Sequence, residues 1–213
     1  MSLEARLEYG ATLLGLELTP GIRERLLQYL ALIQKWNRVH NLTSVRKPEA
    51  MLVRHILDSL SILPHITGPR IADIGSGAGL PGIPLALAQP QWEVVLVESN
   101  YKKITFLRQA QIELKLENIR IAPRRVEDWR EKGLNTIVSR AFSDLSDFVR
   151  LAGHLCVPGT GSGESRTRLA AMKGIHPHEE LAQITAPFMV DQIVPISVPD
   201  LEERRHLVMI RRS

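Results

Sequence analysis

The sequence predicts an α/β protein, a mostly parallel seven-stranded sheet with an antiparallel end and a helical extension in front of it. Three observations carry this. From residue 70 onward, short apolar and β-branched runs alternate with amphipathic stretches over short connections, the pattern of a parallel sheet covered on both faces. Residues 1–65 show helical periodicity with no strand-like run. The last two apolar runs are joined by a short acidic turn, which makes them an antiparallel hairpin at the sheet edge. The expected division is a helical cap over 1–65 and a ligand-binding core over 66–213, together one compact unit.

Within the cap, "GIRERLLQYLALIQKWNRVHNL" repeats Ile22, Leu26, Leu30, Ile33 and Asn37 at offsets of three and four, and Thr19-Pro20 supplies its start. A second helix, "PEAMLVRHILDSLSIL" (48–63), opens on Pro48 and carries Leu52, Ile56, Leu60 and Leu63 on one side. Pro64 and Gly68-Pro69 stop it. The core then reads "RIADIG" as a buried strand, "GIPLALAQ" as a helix entered through Pro81, and "WEVVLVES" as a strand. "KKITFLRQAQIELKL" is a helix with Ile104, Leu107, Ala110 and Leu114 on one side. "NIRIAP", "NTIVSR" and "RLAAMKG" are further strands, separated by helices over 144–155 and 176–185. "FMVDQIVPISV" and "ERRHLVMIRR" form the final hairpin. "PGTGSGESRTR" (158–168) has the composition of a flexible surface loop.

The bulk properties set limits. At 213 residues the chain is long enough for a sizeable core, and its single cysteine excludes an internal disulfide framework or a cysteine-based metal cluster. No metal ion is expected. The apolar runs are far shorter than a membrane span and "MSLEARLEYG" has no signal-peptide core, so a cytoplasmic protein is expected. A net charge of +4 permits an anionic partner without demanding one. The basic residues do cluster, in "RVHNLTSVRK" (38–47), Arg124-Arg125 and Arg204-Arg205.

The chemistry centres on "RIADIGSGAGLPGIP", which places four glycines within residues 75–82 directly after a strand. In a doubly wound sheet the loop after the first strand faces the crevice where ligands bind. Gly77–Gly82 spells the dinucleotide pattern G-x-G-x-x-G. Read from Asp73, the same stretch spells D-x-G-x-G-x-G. A carboxylate there opposes a pyrophosphate but suits S-adenosylmethionine, whose sulfonium and ammonium are cationic. Pro81 and Pro84 also remove amide donors that a phosphate would need. Glu98, ending the next strand, is spaced to bind ribose hydroxyls of either ligand. Val126-Glu127 flank the same crevice after the third strand, where a carboxylate can accept an adenine amino group. Arg140 follows the fourth strand as a pocket residue.

Acceptor chemistry is narrowed by what is missing. The segment after the fourth strand reads "SRAF", not the Asp/Asn-Pro-Pro-Tyr/Phe that serves exocyclic amines, and Cys156 sits away from it as a core filler. Both absences favour an acceptor that is nucleophilic without activation, and guanine N7 has a free lone pair and no proton to remove.

The segments "KWNRVHNLTSVR", "MLVRHILDSL", "DIGSGAGLPGIPLA", "FLRQAQIELKLENI", "RVE", "SRAF", "MKG" and "RHLVMI", in order along nearly the whole chain, resemble the bacterial RsmG/GidB family of small-subunit rRNA 7-methylguanosine methyltransferases. The resemblance implies a class I (Rossmann-like) methyltransferase fold with an antiparallel final strand and S-adenosylmethionine as donor. It implies a guanine N7 in the decoding-region loop of 16S rRNA as acceptor; the expected partner is that RNA within the small subunit or an assembly intermediate, and a monomer is expected. By position, the family's cofactor residues fall on Gly75, Leu80, Val126, Glu127 and Arg140, while Asp73, Gly77, Gly79 and Glu98 follow the general class I pattern. Arg140 is the candidate to orient donor or guanine; no catalytic residue is otherwise assigned. RNA contacts are expected from Asn41, Arg54, His55, Arg124, Lys173 and Arg205. Arg54 and Asp58, at i,i+4, are spaced to pair with each other. His55 reads as a buried hydrogen-bonded side chain and Trp36 as core. Met172 stands where leucine is usual, and the Gly/Ser-rich loop before it is longer than the family's. A nicotinamide-dependent Rossmann reductase and a non-catalytic RNA-binding factor are the competing readings.

Overall fold

The computed structural model describes residues 1–142, 144–156, 167–174 and 177–213. The expected loop at 158–168 lies, up to residue 166, outside them. Two helices open the chain, α1 (Leu3–Leu13) and α2 (Pro20–His40). As the sequence predicts, Thr19 caps α2, its hydroxyl oxygen accepting the Ile22 N–H at 3.3 Å with Pro20 in the first turn. The second predicted helix is broken into pieces: α3 (Pro48–Met51), a π-helical stretch (Leu52–Leu57) and α4 (Asp58–Leu60). Its apolar stripe is buried as expected. Leu52, Val53, Ile56 and Leu57 are buried while Arg54 is half-exposed, and a 3.6-residue period carries no trace of the widening.

Seven strands follow in the order β3-β2-β1-β4-β5-β7-β6. They are β1 (Arg70–Ile74), β2 (Glu93–Glu98), β3 (Ile119–Pro123), β4 (Thr136–Ser139), β5 (Arg168–Lys173), β6 (Phe188–Ile196) and β7 (Arg205–Arg212). The first five are parallel, and β7 runs antiparallel to both β5 and β6. The final hairpin is therefore present, with its second strand inside the sheet. Leu207, Val208, Met209 and Ile210 of β7 are all buried, whereas β6 is half-exposed, so the more apolar strand takes the inner place. Helices α5 (Gly82–Ala88), α6 (Tyr101–Glu113) and α7 (Leu145–Ala152) connect the parallel strands. Where a helix over 176–185 is expected, only the single turn α8 (His178–Leu181) forms among the described residues.

Alternate residues of each strand feed two cores. Ile71, Val94, Leu96, Leu207 and Met209 pack beneath the cap helices, α5 and α6, while Ala72, Val95, Val97, Val208 and Ile210 pack against α7. Cap and core share the first cluster without a break: Leu7 and Leu26 belong to it together with Ile83 and Leu107. Trp36 meets Phe106 edge-on with centroids 5.7 Å apart, a packing contact as expected, and Cys156 is buried in the second cluster. Among the described residues no helix is long and apolar enough to cross a membrane.

Candidate functional site

Strand order reverses between β1 and β4, and the loop after β1 lies at that point. Gly75 adopts φ +67°, and a Cβ there would come within 2.8 Å of the Ala141 Cβ, so only glycine fits. At Gly77, φ +60°, a Cβ would meet the Gly75 carbonyl oxygen at an ordinary 3.8 Å, so the constraint there is the backbone conformation and not space. Two carboxylates and a phenol hold the loop. Glu98 Oε2 accepts the Gly77 N–H at 2.9 Å, and its Oε1 accepts the N–H groups of Ser99 and Asn100 at 2.9 and 2.8 Å. Asp73 Oδ2 accepts the Gly82 N–H at 2.8 Å. From α2, the buried Tyr29 hydroxyl donates to the Ala78 carbonyl.

This changes the role read for Asp73. Its carboxylate points to the start of α5, beneath the loop, because successive side chains of β1 face opposite sides of the sheet. Burial pushes its pKa up to about 7, against the opposing pull of the Gly82 N–H and the Arg140 charge. The same bond occupies the last glycine amide of the literal G-x-G-x-x-G, which a pyrophosphate would need. Leu80 is likewise drawn into the core under the cap. Gly79 faces inward too, since a Cβ there would meet Ile83 at 2.5 Å.

Two hollows open beside the loop. The first, about 230 Å³, is lined by Gly75, Glu98, Arg124, Val126, Glu127, Ala141 and Phe142. The sequence-predicted cofactor residues from three separate strand ends therefore meet, joined by Arg124, which was expected on the RNA side. Asp73 Oδ1 and Ser76 Oγ are buried at the loop with no hydrogen-bond partner among the described residues. A nucleoside ligand whose other end is cationic fits this set: Glu98 and Glu127 for hydroxyl and amino groups, an open Gly77, and an acidic reserve under the loop. The donor set thus suits S-adenosylmethionine.

The second hollow, about 410 Å³, is lined by Thr43, Arg54, His55, Asp58, Arg140, Phe142, Lys173 and Arg205, among others. It gathers four of the six expected RNA contacts. Asn41 is not among its lining residues. It ends α2 at φ 48° and accepts a hydrogen bond from Arg46 Nη2 at 3.0 Å. Arg140 belongs to this second hollow, where its Nη1 donates to the Arg54 carbonyl at 3.0 Å and to Asp58 at 3.2 Å. Arg54 does not pair with Asp58; it reaches Glu203 instead. Asp58 takes Arg140 and Arg205, and Lys173 pairs with Glu180 at 2.8 Å. His55 Nε2 lies 2.9 Å from Thr43 Oγ1, and burial together with the Arg140 charge lowers its pKa to about 4. It is a neutral hydrogen-bonding wall, as expected.

Tyr29 and Phe142 are the residues that sequence reasoning missed, and Asp58 is one it gave the wrong partner, Arg54. Asp58 and Tyr29 bond to groups 49 or more residues away, so no local spacing announces them. Phe142 was in plain view, as the last letter of "SRAF", and is the residue that lines both hollows.

Comparisons with known proteins give the family and the fold. The family model for GidB, rRNA small subunit methyltransferase G, matches residues 22–208. The chain is 60% identical over 214 residues to Ribosomal RNA small subunit methyltransferase G of Nitrosospira multiformis, covering 100% of this chain and 99% of that protein. It is 46% identical to the protein of the same name from Laribacter hongkongensis, covering 99% of each. Among solved structures, TrmN from Thermus thermophilus has a TM-score of 0.57 at 17% identity over 90% of this chain and 53% of its own. The mitomycin 7-O-methyltransferase MmcR has a TM-score of 0.58 at 14% identity over 92% and 69%. These two likenesses show the fold: a class I methyltransferase sheet.

Proposed function

The chain belongs to the rRNA small subunit methyltransferase G family, and from that premise we propose how its two hollows divide the reaction. It is an S-adenosylmethionine-dependent rRNA methyltransferase. The acceptor we assign is N7 of a guanine in the decoding-region loop of 16S rRNA, within the small subunit or an assembly intermediate, with the enzyme acting as a cytoplasmic monomer.

One observation carries the reading: the hollow that holds Gly75, Glu98, Val126 and Glu127 and the basic hollow beside it share a wall, Phe142. Donor and base can therefore approach each other from adjoining sides. S-adenosylmethionine, when bound, supplies the electrophilic methyl group. Around it, Glu98 engages ribose hydroxyls, Val126-Glu127 the adenine edge, and Gly75 and Gly77 admit the ligand close to the backbone. Asp73, Gly79 and Leu80 act from below by fixing the loop. Arg54, His55, Lys173 and Arg205 receive RNA, Arg140 lines their hollow two residues before the shared wall at Phe142, and Arg124 belongs with the donor. Asn41 acts through Arg46.

The lining residues support an acceptor that needs no deprotonation. His55, near pKa 4, is a weak base at neutral pH, Asp58 is held by two guanidiniums, and Lys173 is ion-paired. Guanine N7 meets that condition, and its methylation then depends on placement. Labelled S-adenosylmethionine given to undermethylated small subunits, followed by mapping of the modified nucleotide, tests the proposal. Label on N7 of a single guanine is the expected result. Label on another atom would refute the acceptor assignment, and RNA without label would refute the substrate.

A further inference from the structure

Phe142 lines both hollows, and among the described residues no other side chain does. Its ring is held from behind. It stacks on Phe148 of α7, with centroids 5.2 Å apart and planes 26° from parallel. Phe148 is fully buried in the second core cluster, and the half-buried Phe142 packs against that cluster. With one face on Phe148, the Phe142 ring has its other face and its edge to offer to the hollows. Neither hydrogen bonding nor charge explains an aromatic side chain at this point, since phenylalanine has neither to give.

Methyl transfer to N7 carries a positive charge from one hollow to the other. The S–CH3 bond breaks with its electron pair staying on sulfur, while the N7 lone pair forms the new bond. The sulfonium becomes a neutral thioether, the guanine becomes a cation, and no proton moves. The basic hollow is poorly made to receive that cation. Arg54, Arg140, Lys173 and Arg205 line it, and its one carboxylate, Asp58, is divided between Arg140 and Arg205. On the other side Glu98 is occupied by three backbone N–H groups. A further free carboxylate would repel the RNA phosphates. An aromatic face attracts a cation through its quadrupole and stays uncharged.

We propose that Phe142 is a catalytic residue of the transfer, its free ring face lying against the methyl group in passage and stabilising the positive charge that moves from the sulfonium to the guanine. The inference rests on the division of the two hollows between donor and RNA. When both bonds are partial, positive charge gathers on the methyl group between sulfur and N7. A wall common to both hollows meets it there more closely than it meets either ground state, so the contact speeds the chemical step. The demethylated product, S-adenosylhomocysteine, is neutral at sulfur and gains nothing from the ring. Phe142 therefore also favours donor over product.

The test replaces Phe142 by a series of phenylalanines with increasing ring fluorination, which drains the π face and keeps the ring's shape, and by leucine in Phe142→Leu. Readouts are single-turnover methyl transfer to undermethylated small subunits, and calorimetric binding of S-adenosylmethionine and of S-adenosylhomocysteine. Expected is a transfer rate that falls stepwise with fluorination, by about tenfold at the end of the series, and at least as far in Phe142→Leu. The preference for S-adenosylmethionine over S-adenosylhomocysteine falls in the same order. Should Phe142→Leu fail to fold, the fluorinated series carries the test. A transfer rate or a donor preference that holds across that series overturns the proposal. A loss in Phe142→Leu alone would then reduce the ring to packing. If wild type itself labels no RNA, the functional reading fails separately, and the binding series still decides for or against contact between ring and sulfonium.

Discussion

Two buried titrating groups, Asp73 and His55, act on stability in opposite directions. Asp73 has its pKa raised from 3.8 to about 7 by burial, so its contribution is fully present below pH 3.8 and is lost as pH rises through about 7. His55 has its pKa lowered from 6.5 to about 4, so its contribution is present above pH 6.5 and is lost as pH falls through about 4. Between those limits the two slopes offset each other, and single substitutions should unmask them. Asp73→Asn, which keeps an oxygen for the Gly82 N–H, should gain thermal stability relative to wild type as pH goes from 4 to 8. His55→Gln should show its largest deficit near pH 7 and close the gap toward pH 4.5. Unfolding temperatures across that range, without added ligand, check both signs. Residue identity in the glycine loop was legible because strand, acid and glycines are contiguous. The direction of the Asp73 carboxylate was not, because it depends on which face of β1 the helix start covers.

At the scale of elements, the glycine loop is held from outside the sheet. Tyr29 reaches it from α2, and removing the hydroxyl leaves the buried Ala78 carbonyl unpaired. Tyr29→Phe should cost about 1–3 kcal/mol in denaturant unfolding and weaken S-adenosylmethionine binding measured by calorimetry. Unchanged affinity would show that the loop keeps its shape unaided. Periodicity located α2, α6 and every strand, since each buries a regular face. It did not foresee the π-helical stretch at Leu52–Leu57, whose buried stripe of Leu52 and Ile56 keeps an ordinary helical spacing. It also overextended α8, whose residues are all exposed or half-exposed and so have little packing to prolong a helix.

At the scale of the molecule, the cap and the sheet are halves of one hydrophobic cluster. Residues 66–213 produced alone would expose Ile83, Leu85 and Leu107 to water, and should be insoluble or aggregate in light scattering. A monodisperse fragment that binds S-adenosylmethionine would overturn this and show that the cap is dispensable for the fold. The helical extension and the strand series were readable separately, but their shared core was not, because apolar stripes do not name their partners. What the sequence by itself determined is the fold class, the glycine loop and the strand ends that carry Glu98, Val126, Glu127 and Arg140. These follow from local periodicity and from glycines that only one kind of turn requires. The tertiary structure alone decided how charge is distributed. It sent Arg124 to the hollow of Gly75, Glu98 and Glu127, Arg54 to Glu203, and Arg140 with Arg205 to Asp58. Ion pairs are chosen by proximity in the folded chain, and these partners stand 82 to 149 residues apart along it.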